Sequence, residues 1–261
     1  MILQFGTSRF LQAHADLFLS EAGQGPVTVV QTTNNPERAG RVAAFDAGRY
    51  PVRLRGLQNG EVIDRTIEVT SVTRGLSAAL HWPEIERTFV HDARTIISNT
   101  GDSGYILDPT DTPDTLIPTS FPAKLLRLLQ ARHRENPEPL DLYPCELIGS
   151  NGDTLRRIIL DLAQTWSADP AMTAWLETEC RWVNSLVDRI VSAPIEPIGA
   201  IAEPYALWAI EAQPGLEPPC RHPDIIVTDR LADYERLKLF ILNGGHTYLV
   251  ELWRAQSAHE T

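Results

Sequence analysis

The sequence predicts an α/β protein with a mostly parallel sheet, and three observations carry that reading. The chain opens as strand, glycine, helix, strand: Ile2-Leu-Gln-Phe5, then Gly6, then a helix holding Phe10, Leu11, Leu17 and Phe18, then Val27-Thr-Val-Val30. That order begins a parallel βαβ unit, because parallel strands need a crossover and a helix is the usual one. Both strands are largely apolar rather than alternating, as a sheet covered on two faces requires. Helical spacing then recurs between further short apolar runs along the chain, which makes the architecture Rossmann-like.

Gly23 to Pro26 break the first helix, whose apolar face is accompanied by Asp16 and Glu21. The next helix is placed over 36–46. Residues 51–55 and 61–70 alternate apolar and charged side chains around Asn59-Gly60, the signature of a type I′ hairpin. They read as an antiparallel ribbon inserted in the sheet. A helix over 80–90 leads to a buried strand over 94–99 and the polar turn 100–104. A loop rich in proline and threonine precedes an amphipathic helix over 121–134. A strand over 142–148, a helix over 151–166 with Asp153 in its first turn, and a shorter helix over 171–180 follow. From 190 to 223 the chain reads as irregular and rich in proline. The apolar run 225–227 precedes Asp229, the expected cap of a long terminal helix. Residues 1–222 are assigned to the sheet domain, and 223–261 to the start of an all-helical one.

With 261 residues, 43% hydrophobic and 22% charged, the chain can bury a large core in the manner of an ordinary globular protein. Its net charge of -11 argues against nucleic acid or an anionic membrane as partner, yet a small anionic substrate needs only a local cation. Cys145, Cys180 and Cys220 are odd in number and far apart, so free thiols in a reducing cytoplasm are expected. The amino terminus lacks a signal-peptide pattern, and no apolar run is long enough to span a bilayer. The seven histidines are scattered without H-x-x-x-H spacing, so no metal site is expected.

Within the stretch 234–253, Lys238, Asn243 and His246 interrupt an apolar helical pattern. At about 100° per residue Asn243 lies roughly 140° from Lys238, with His246 between them. Leu239, Leu242, Leu249 and Val250 share that arc, so the three polar groups sit where burial is expected and is costly without partners. A polar cluster in a helix interface explains any one of them. A buried lysine points instead to a partner or a task.

The turn Gly6-Thr-Ser-Arg-Phe10 ends a strand and enters a helix, where backbone N–H groups can meet a phosphate. The fingerprint G-x-G-x-x-G would need glycine where Ser8 and Leu11 stand, so a plain βα turn fits nearly as well. At the end of the second strand, Gln31, Thr32 and Thr33 occupy the place of a ribose-binding carboxylate. Gln31 can hydrogen-bond a ribose hydroxyl, while Arg38 and Arg41 on the next helix can meet a 2′-phosphate. NAD and NADP both remain open on these grounds. Asn99, Thr100 and Asp102 follow a buried strand and are placed along a cofactor crevice, with a polar surface loop as the plain alternative. Asn184 and Asp188 share a face if their segment is helical.

These motifs, in order, are Phe5-Gly-Thr-Ser-Arg-Phe-Leu-Gln-Ala-His14, Tyr50-Pro-Val-Arg-Leu-Arg-Gly56, Ser98-Asn-Thr and Ser120-Phe-Pro-Ala-Lys-Leu125. Pro144-Cys-Glu-Leu-Ile148, Asn151-Gly-Asp, Asn184-Ser-Leu-Val-Asp-Arg-Ile190 and Lys238-x4-Asn243-x2-His246 complete the set. Together they resemble the polyol-specific long-chain dehydrogenases, the mannitol dehydrogenase family, over nearly the whole chain, and most closely its tagaturonate reductase branch.

The resemblance implies a metal-independent hydride transfer with NAD as cofactor and a small sugar acid or polyol as substrate, such as tagaturonate reduced to altronate. Lys238 would then be the general acid/base, Asn243 and His246 would hold the reacting oxygen, and Asp188 with Asn184 would lie at the substrate. The turn Gly6, Thr7, Ser8, Arg9, Phe10 would carry the pyrophosphate. Leu147 stands where mannitol dehydrogenases place an asparagine, which favours the tagaturonate branch. Family members continue past the terminal helix into a larger helical domain, so Leu239, Phe240, Leu249 and Trp253 are expected to form an exposed apolar patch here.

Overall fold

The computed structural model describes residues 1–33, 39–101 and 103–257. Arg38 and Asp102, both named above as candidates, lie outside them. The amino-terminal half runs β1 (Ile2–Phe5), α1 (Arg9–Ala13), α2 (Ala15–Glu21), β2 (Val27–Gln31), α3 (Ala39–Ala43), β3 (Tyr50–Gln58), β4 (Glu61–Val69), β5 (Val72–Ser77), α4 (Trp82–His91), β6 (Thr95–Ser98) and α5 (Phe121–Glu135). It continues with β7 (Asp141–Pro144), α6 (Asn151–Thr165), α7 (Pro170–Thr178), β8 (Arg181–Trp182), β9 (Ser185–Asp188), β10 (Val191–Pro194), β11 (Ala200–Ala202), β12 (Leu207–Glu211) and β13 (Ile225–Thr228). Helix α8 (Leu231–Leu237), a π-helical turn Lys238–Asn243 and α9 (Gly244–Ser257) close the description.

Six strands form one wholly parallel sheet in the order β5-β2-β1-β6-β7-β8. Counted within the sheet this is 3-2-1-4-5-6, so the order reverses between β1 and β6. Alternate side chains of each strand enter two apolar cores. Leu3, Phe5, Ile96 and Leu142 meet α4, α5, α6 and α7 on one face. Ile2, Val27, Val29, Ile97 and Tyr143 meet α2 and the smaller sheets on the other. Burial on both sides is why these strands read as continuous apolar runs.

The inserted ribbon is β3 paired antiparallel with β4, and its turn places Asn59 at φ 54° and Gly60 at φ 84°, the I′ geometry the dipeptide predicts. The ribbon does not join the parallel sheet. It heads a separate four-stranded sheet, β10-β11-β3-β4.

Several expectations are corrected. Strand β5 was not foreseen, because Val72-Thr-Arg-Gly-Leu-Ser carries little apolar signal. Its Gly75 is needed where the carbonyl of Val42 closes on the strand, and β2 supplies the pairing. The stretch 190–223 is not irregular but holds β10, β11 and β12; β10 pairs with the nearby β11, while β11 also lies along the distant β3 and β12 along β9. The Asn184–Asp188 segment is a strand, not a helix. The strand expected over 142–148 ends at Pro144. The first helix breaks at His14. Asp229 does not cap α8: Arg230 holds the cap position without a side-chain hydrogen bond.

Candidate active site

The carboxyl ends of β1, β6, β7 and β9 open on one cleft, to which Phe10, Asn99, Glu146, Leu147, Asp188 and Lys238 contribute. The glycine turn forms one wall. Gly6 takes φ 117°, and a β-carbon there would stand well inside 3.0 Å of the Asn99 carbonyl oxygen. Only glycine lets β1 leave the sheet so close to the strand across the reversal point. Ser8 accepts from Leu11 N at 3.1 Å as the cap of α1 and donates to Asn99 Oδ1 at 3.1 Å, joining the turn to the loop after β6. Phe10 stacks on the His14 ring, 4.7 Å between centroids. Burial holds that imidazole neutral, its pKa lowered to about 3.

A second wall is organised by Glu146, which stands in the motif Pro144-Cys-Glu-Leu-Ile148 but was given no role of its own there. Its buried carboxylate receives Ser98 Oγ at 3.0 Å, Thr100 N and Oγ1 at 3.0 Å each, and Tyr105 Oη at 3.3 Å. Burial raises its pKa, against the pull of the Thr100 and Ser98 donors. Asn99 Nδ2 donates to Cys145 O at 2.6 Å. The loop after β6 is therefore tied to the loop after β7 at two adjacent residues. The signal was present in the sequence: a carboxylate directly after an apolar strand falls where parallel sheets bind ligands.

Lys238 enters from the far side, in the first position of the π-helical turn. Its Nζ donates to Val187 O at 2.6 Å and lies 3.1 Å from Asp188 Oδ1, with side-chain exposures of 12% and 19% for the pair. The amine is thus partnered, as its burial demands, while still lining the cleft. π-Helical turns inside helices are frequent at functional sites.

Other candidates land elsewhere. Asn243 lines an adjoining groove with Glu235, Lys238 and Leu239, but is exposed. His246 is also exposed, on α9, so the two do not share the burial of Lys238: Leu239, Leu249 and Val250 of the same face are exposed as well, and among the described residues no element packs on it. Leu239, Phe240, Leu249 and Trp253 are each more than half exposed, which is the patch expected above, and Val250 is exposed with them.

Asn184 is buried away from the cleft. Its Nδ2 donates to Asp153 Oδ2 and Glu211 Oε2, and its Oδ1 accepts from Asp153 N, so it clamps α6 to β12. Arg9 is committed as well, donating to Ile195 O, Gly199 O, Pro197 O and Glu196 Oε1. Thr7 accepts from Arg41 through both its carbonyl and its hydroxyl. Gln31 Nε2 donates to Thr33, and Thr32 is half-buried beside it.

Arg189 lies against the cleft, yet its guanidinium donates to Ala13 O, Pro204 O and Tyr205 O. Asn151 is the hidden joint of the site: Nδ2 reaches Pro144 O, Glu146 O and Ser185 O, and Oδ1 receives Ser185 N and Gly152 N.

A doubly wound parallel sheet with a cleft at its reversal point defines the Rossmann class of nucleotide-binding folds. Comparison with known proteins narrows this. Residues 1–219 match the family model described as the mannitol dehydrogenase Rossmann domain, and the chain belongs to that family. Among curated relatives it is 32% identical to altronate oxidoreductase of Bacillus subtilis, over 94% of this chain and 57% of that one. It is 30% identical to altronate oxidoreductase of Escherichia coli, over 95% and 57%.

Among solved structures, D-sorbitol dehydrogenase in substrate-free form superposes with a TM-score of 0.79 at 20% identity, covering 94% of this chain and 57% of that one. Mannitol 2-dehydrogenase of Pseudomonas fluorescens, solved with NAD and D-mannitol, gives 0.77 at 16%, covering 94% and 56%. The chain thus spans about half the length of the relatives it matches.

Proposed function

We propose that the chain carries the dinucleotide site and the reacting amine of a nicotinamide-dependent oxidoreductase that reduces a keto-sugar acid, tagaturonate to altronate. The observation that carries this reading is the placement of Lys238: an amine from the terminal helical segment, partnered by Asp188 and Val187 O, faces the cleft at the sheet's reversal point. The names of the curated relatives support the substrate class. The division into a sheet unit, placed above over 1–222, and a helical one belongs to the same proposal, with the boundary moved past β13, because Ile225–Thr228 pairs with β12.

The cleft suits a dinucleotide in the chemistry of its donors. Gly6 gives close backbone approach, and Ser8, Asn99 and Thr100 fix the loops on either side. Helix α1 is only 5 residues long and Arg9 is committed elsewhere, so a pyrophosphate would rest on backbone N–H groups more than on a helix dipole or a cation. A bound nicotinamide cofactor, NAD in the family's case, supplies the hydride.

The chain's own residues manage the proton. The ammonium of Lys238 donates to the carbonyl oxygen during reduction, and the amine takes the proton back in the reverse direction. Asp188 and Val187 O hold the amine in place for this. Asn243, in the groove that Lys238 shares, offers an amide to the same oxygen. His246 makes no contact in the cleft, so the resemblance alone supports its role.

One observation favours a second reading. Among the described residues the charged side chains at the cleft are Glu146, Asp188, Lys238 and Arg189, and the last is spent on backbone carbonyls. A neutral polyol such as mannitol or arabinitol needs no further cation, whereas a sugar acid does. NADH oxidation with tagaturonate, fructuronate and fructose, by the chain and by Lys238→Ala, separates these readings. The variant is expected to lose about 10²–10⁴-fold in rate. Turnover that survives it would remove Lys238 from the chemistry. NADH binding without turnover of any substrate would leave a binding protein.

A further inference from the structure

Three of the four charged side chains described at the cleft have their charge answered. Lys238 Nζ stands 3.1 Å from Asp188 Oδ1, so that pair cancels. Arg189 gives its donors to backbone carbonyls and feels the carboxylates of Asp224, Glu21 and Glu203. Glu146 differs. It is 3% exposed, and among the described residues its carboxylate meets the hydroxyls of Ser98, Thr100 and Tyr105 and the Thr100 N–H, but no cation. Each of these groups can donate and none is an obligate acceptor, which is the setting of an ionised carboxylate. The cleft wall therefore holds a buried negative charge that no described cation balances. Asp102 lies outside the described residues, and an aspartate brings no positive charge.

Glu146 lines both the cleft and the adjoining groove, and so does Lys238. A nicotinamide ring must come within hydride reach of the carbon whose oxygen Lys238 protonates, so it shares that space. Oxidised nicotinamide bears a positive charge that the reduced form lacks. We infer that Glu146 tells the two redox forms of the cofactor apart, its charge favouring the oxidised, cationic ring and with it hydride transfer to the substrate. This rests on the dinucleotide-binding reading above. During reduction Lys238 Nζ passes its proton to the carbonyl oxygen, while the carbonyl carbon receives the hydride, a hydrogen with its electron pair. The positive charge lost at the amine is regained at the ring, so Asp188 loses a counter-charge and Glu146 gains one. A carboxylate already fixed in a buried wall does this without reorganising.

Fluorescence titration of the 261-residue chain with NAD⁺ and with NADH tests this without needing turnover. The unaltered chain is expected to bind NAD⁺ at least as tightly as NADH. Glu146→Gln keeps the shape of the side chain and removes its charge. It should weaken NAD⁺ by about 10- to 30-fold, the scale of one charge felt across roughly 8–12 Å at an effective dielectric constant near 20, and NADH by under about 3-fold. Glu146→Asp disturbs the hydrogen bonds but keeps the charge, so the ratio of the two dissociation constants should stay within about 3-fold of that in the unaltered chain.

Equal weakening of NAD⁺ and NADH by the Gln and Asp variants alike overturns the inference and leaves Glu146 a structural tie between the loops. NADH bound more than about 10-fold tighter than NAD⁺ by the unaltered chain also overturns it, and that result needs no variant to fold. If neither form binds, the dinucleotide-binding reading itself fails. If both bind and Glu146→Gln leaves their ratio unchanged, only the inference about Glu146 falls.

Discussion

Replacing Gly6 by alanine tests the link between backbone geometry and cofactor binding most directly. The residue is pinned on both sides: its N–H donates to Val30 O at 2.9 Å, and Asn99 N donates to Phe5 O at 2.9 Å just before it. At φ 117° an L side chain is strained, which costs about 1–3 kcal/mol. The added β-carbon would also overlap the Asn99 carbonyl oxygen, a backbone atom held by the Ser98–Glu146 and Asn99–Cys145 hydrogen bonds. Relieving that overlap adds about 1–3 kcal/mol, so a total loss of about 2–6 kcal/mol is expected.

Much of the movement must fall on the turn or on the loop after β6, both walls of the cleft. NADH affinity should therefore drop roughly 10-fold or more, since displacements near 1 Å are enough to spoil such sites. The measurements are urea unfolding and NADH fluorescence titration on folded protein. Gly23→Ala is the control: Gly23 has φ 65° but open space around its β-position, so it should cost about 1 kcal/mol and leave NADH binding alone. A Gly6→Ala variant as stable as the control refutes the steric argument. One that is destabilised but binds NADH normally refutes the placement of the cofactor at this turn.

Two further predictions concern the scaffold. Asn151→Ala strips hydrogen bonds from Pro144, Glu146 and Ser185 in a buried joint, and should cost about 3–5 kcal/mol in urea unfolding; a loss under about 1 kcal/mol would show that the joint relaxes. Acid dependence should reveal two buried groups of opposite sign. Burial lowers the His14 pKa from 6.5 to about 3, so its contribution is lost as pH falls below 6.5. Burial raises the Asp16 pKa from 3.8 to about 7, so its contribution is lost as pH rises from 3.8 to about 7. Between these limits the two slopes oppose each other in the unaltered chain. Asp16→Asn should gain stability from pH 4.5 to 6.5, and His14→Gln should lose it, each by about 1 kcal/mol per pH unit; parallel slopes in the two variants would contradict this.

Much of the sheet was legible because its signals are local. Apolar strands ended by Gly6 or by Asn99, helices with clear periodicity, and the Asn59-Gly60 turn each announce themselves within a few residues. Strands β5 and β10 to β12 were not legible: β5 and β11 lie along strands distant in sequence, and β10 and β12 are short runs with little apolar alternation. For the site, the sequence pointed to the Gly6 turn, Asn99, Asp188 and Lys238, all of which stand at the cleft or form its wall. It also offered Asn184 and Arg9, whose polar groups the fold consumes in clamping other elements. Residue type marks a group able to bind, whereas only its neighbours show whether that capacity is already spent.

The sequence by itself determined the class of fold and the family, because strand–turn–helix order and motif spacing are properties of the chain. Tertiary structure alone decided that the Lys238 amine meets Asp188 and Val187 O, and that Glu146 ties the two loops of the cleft. It likewise placed Arg41 at the Thr7 turn. Each of these pairs joins segments far apart in sequence, so its geometry is fixed by packing of the sheets and not by any local pattern.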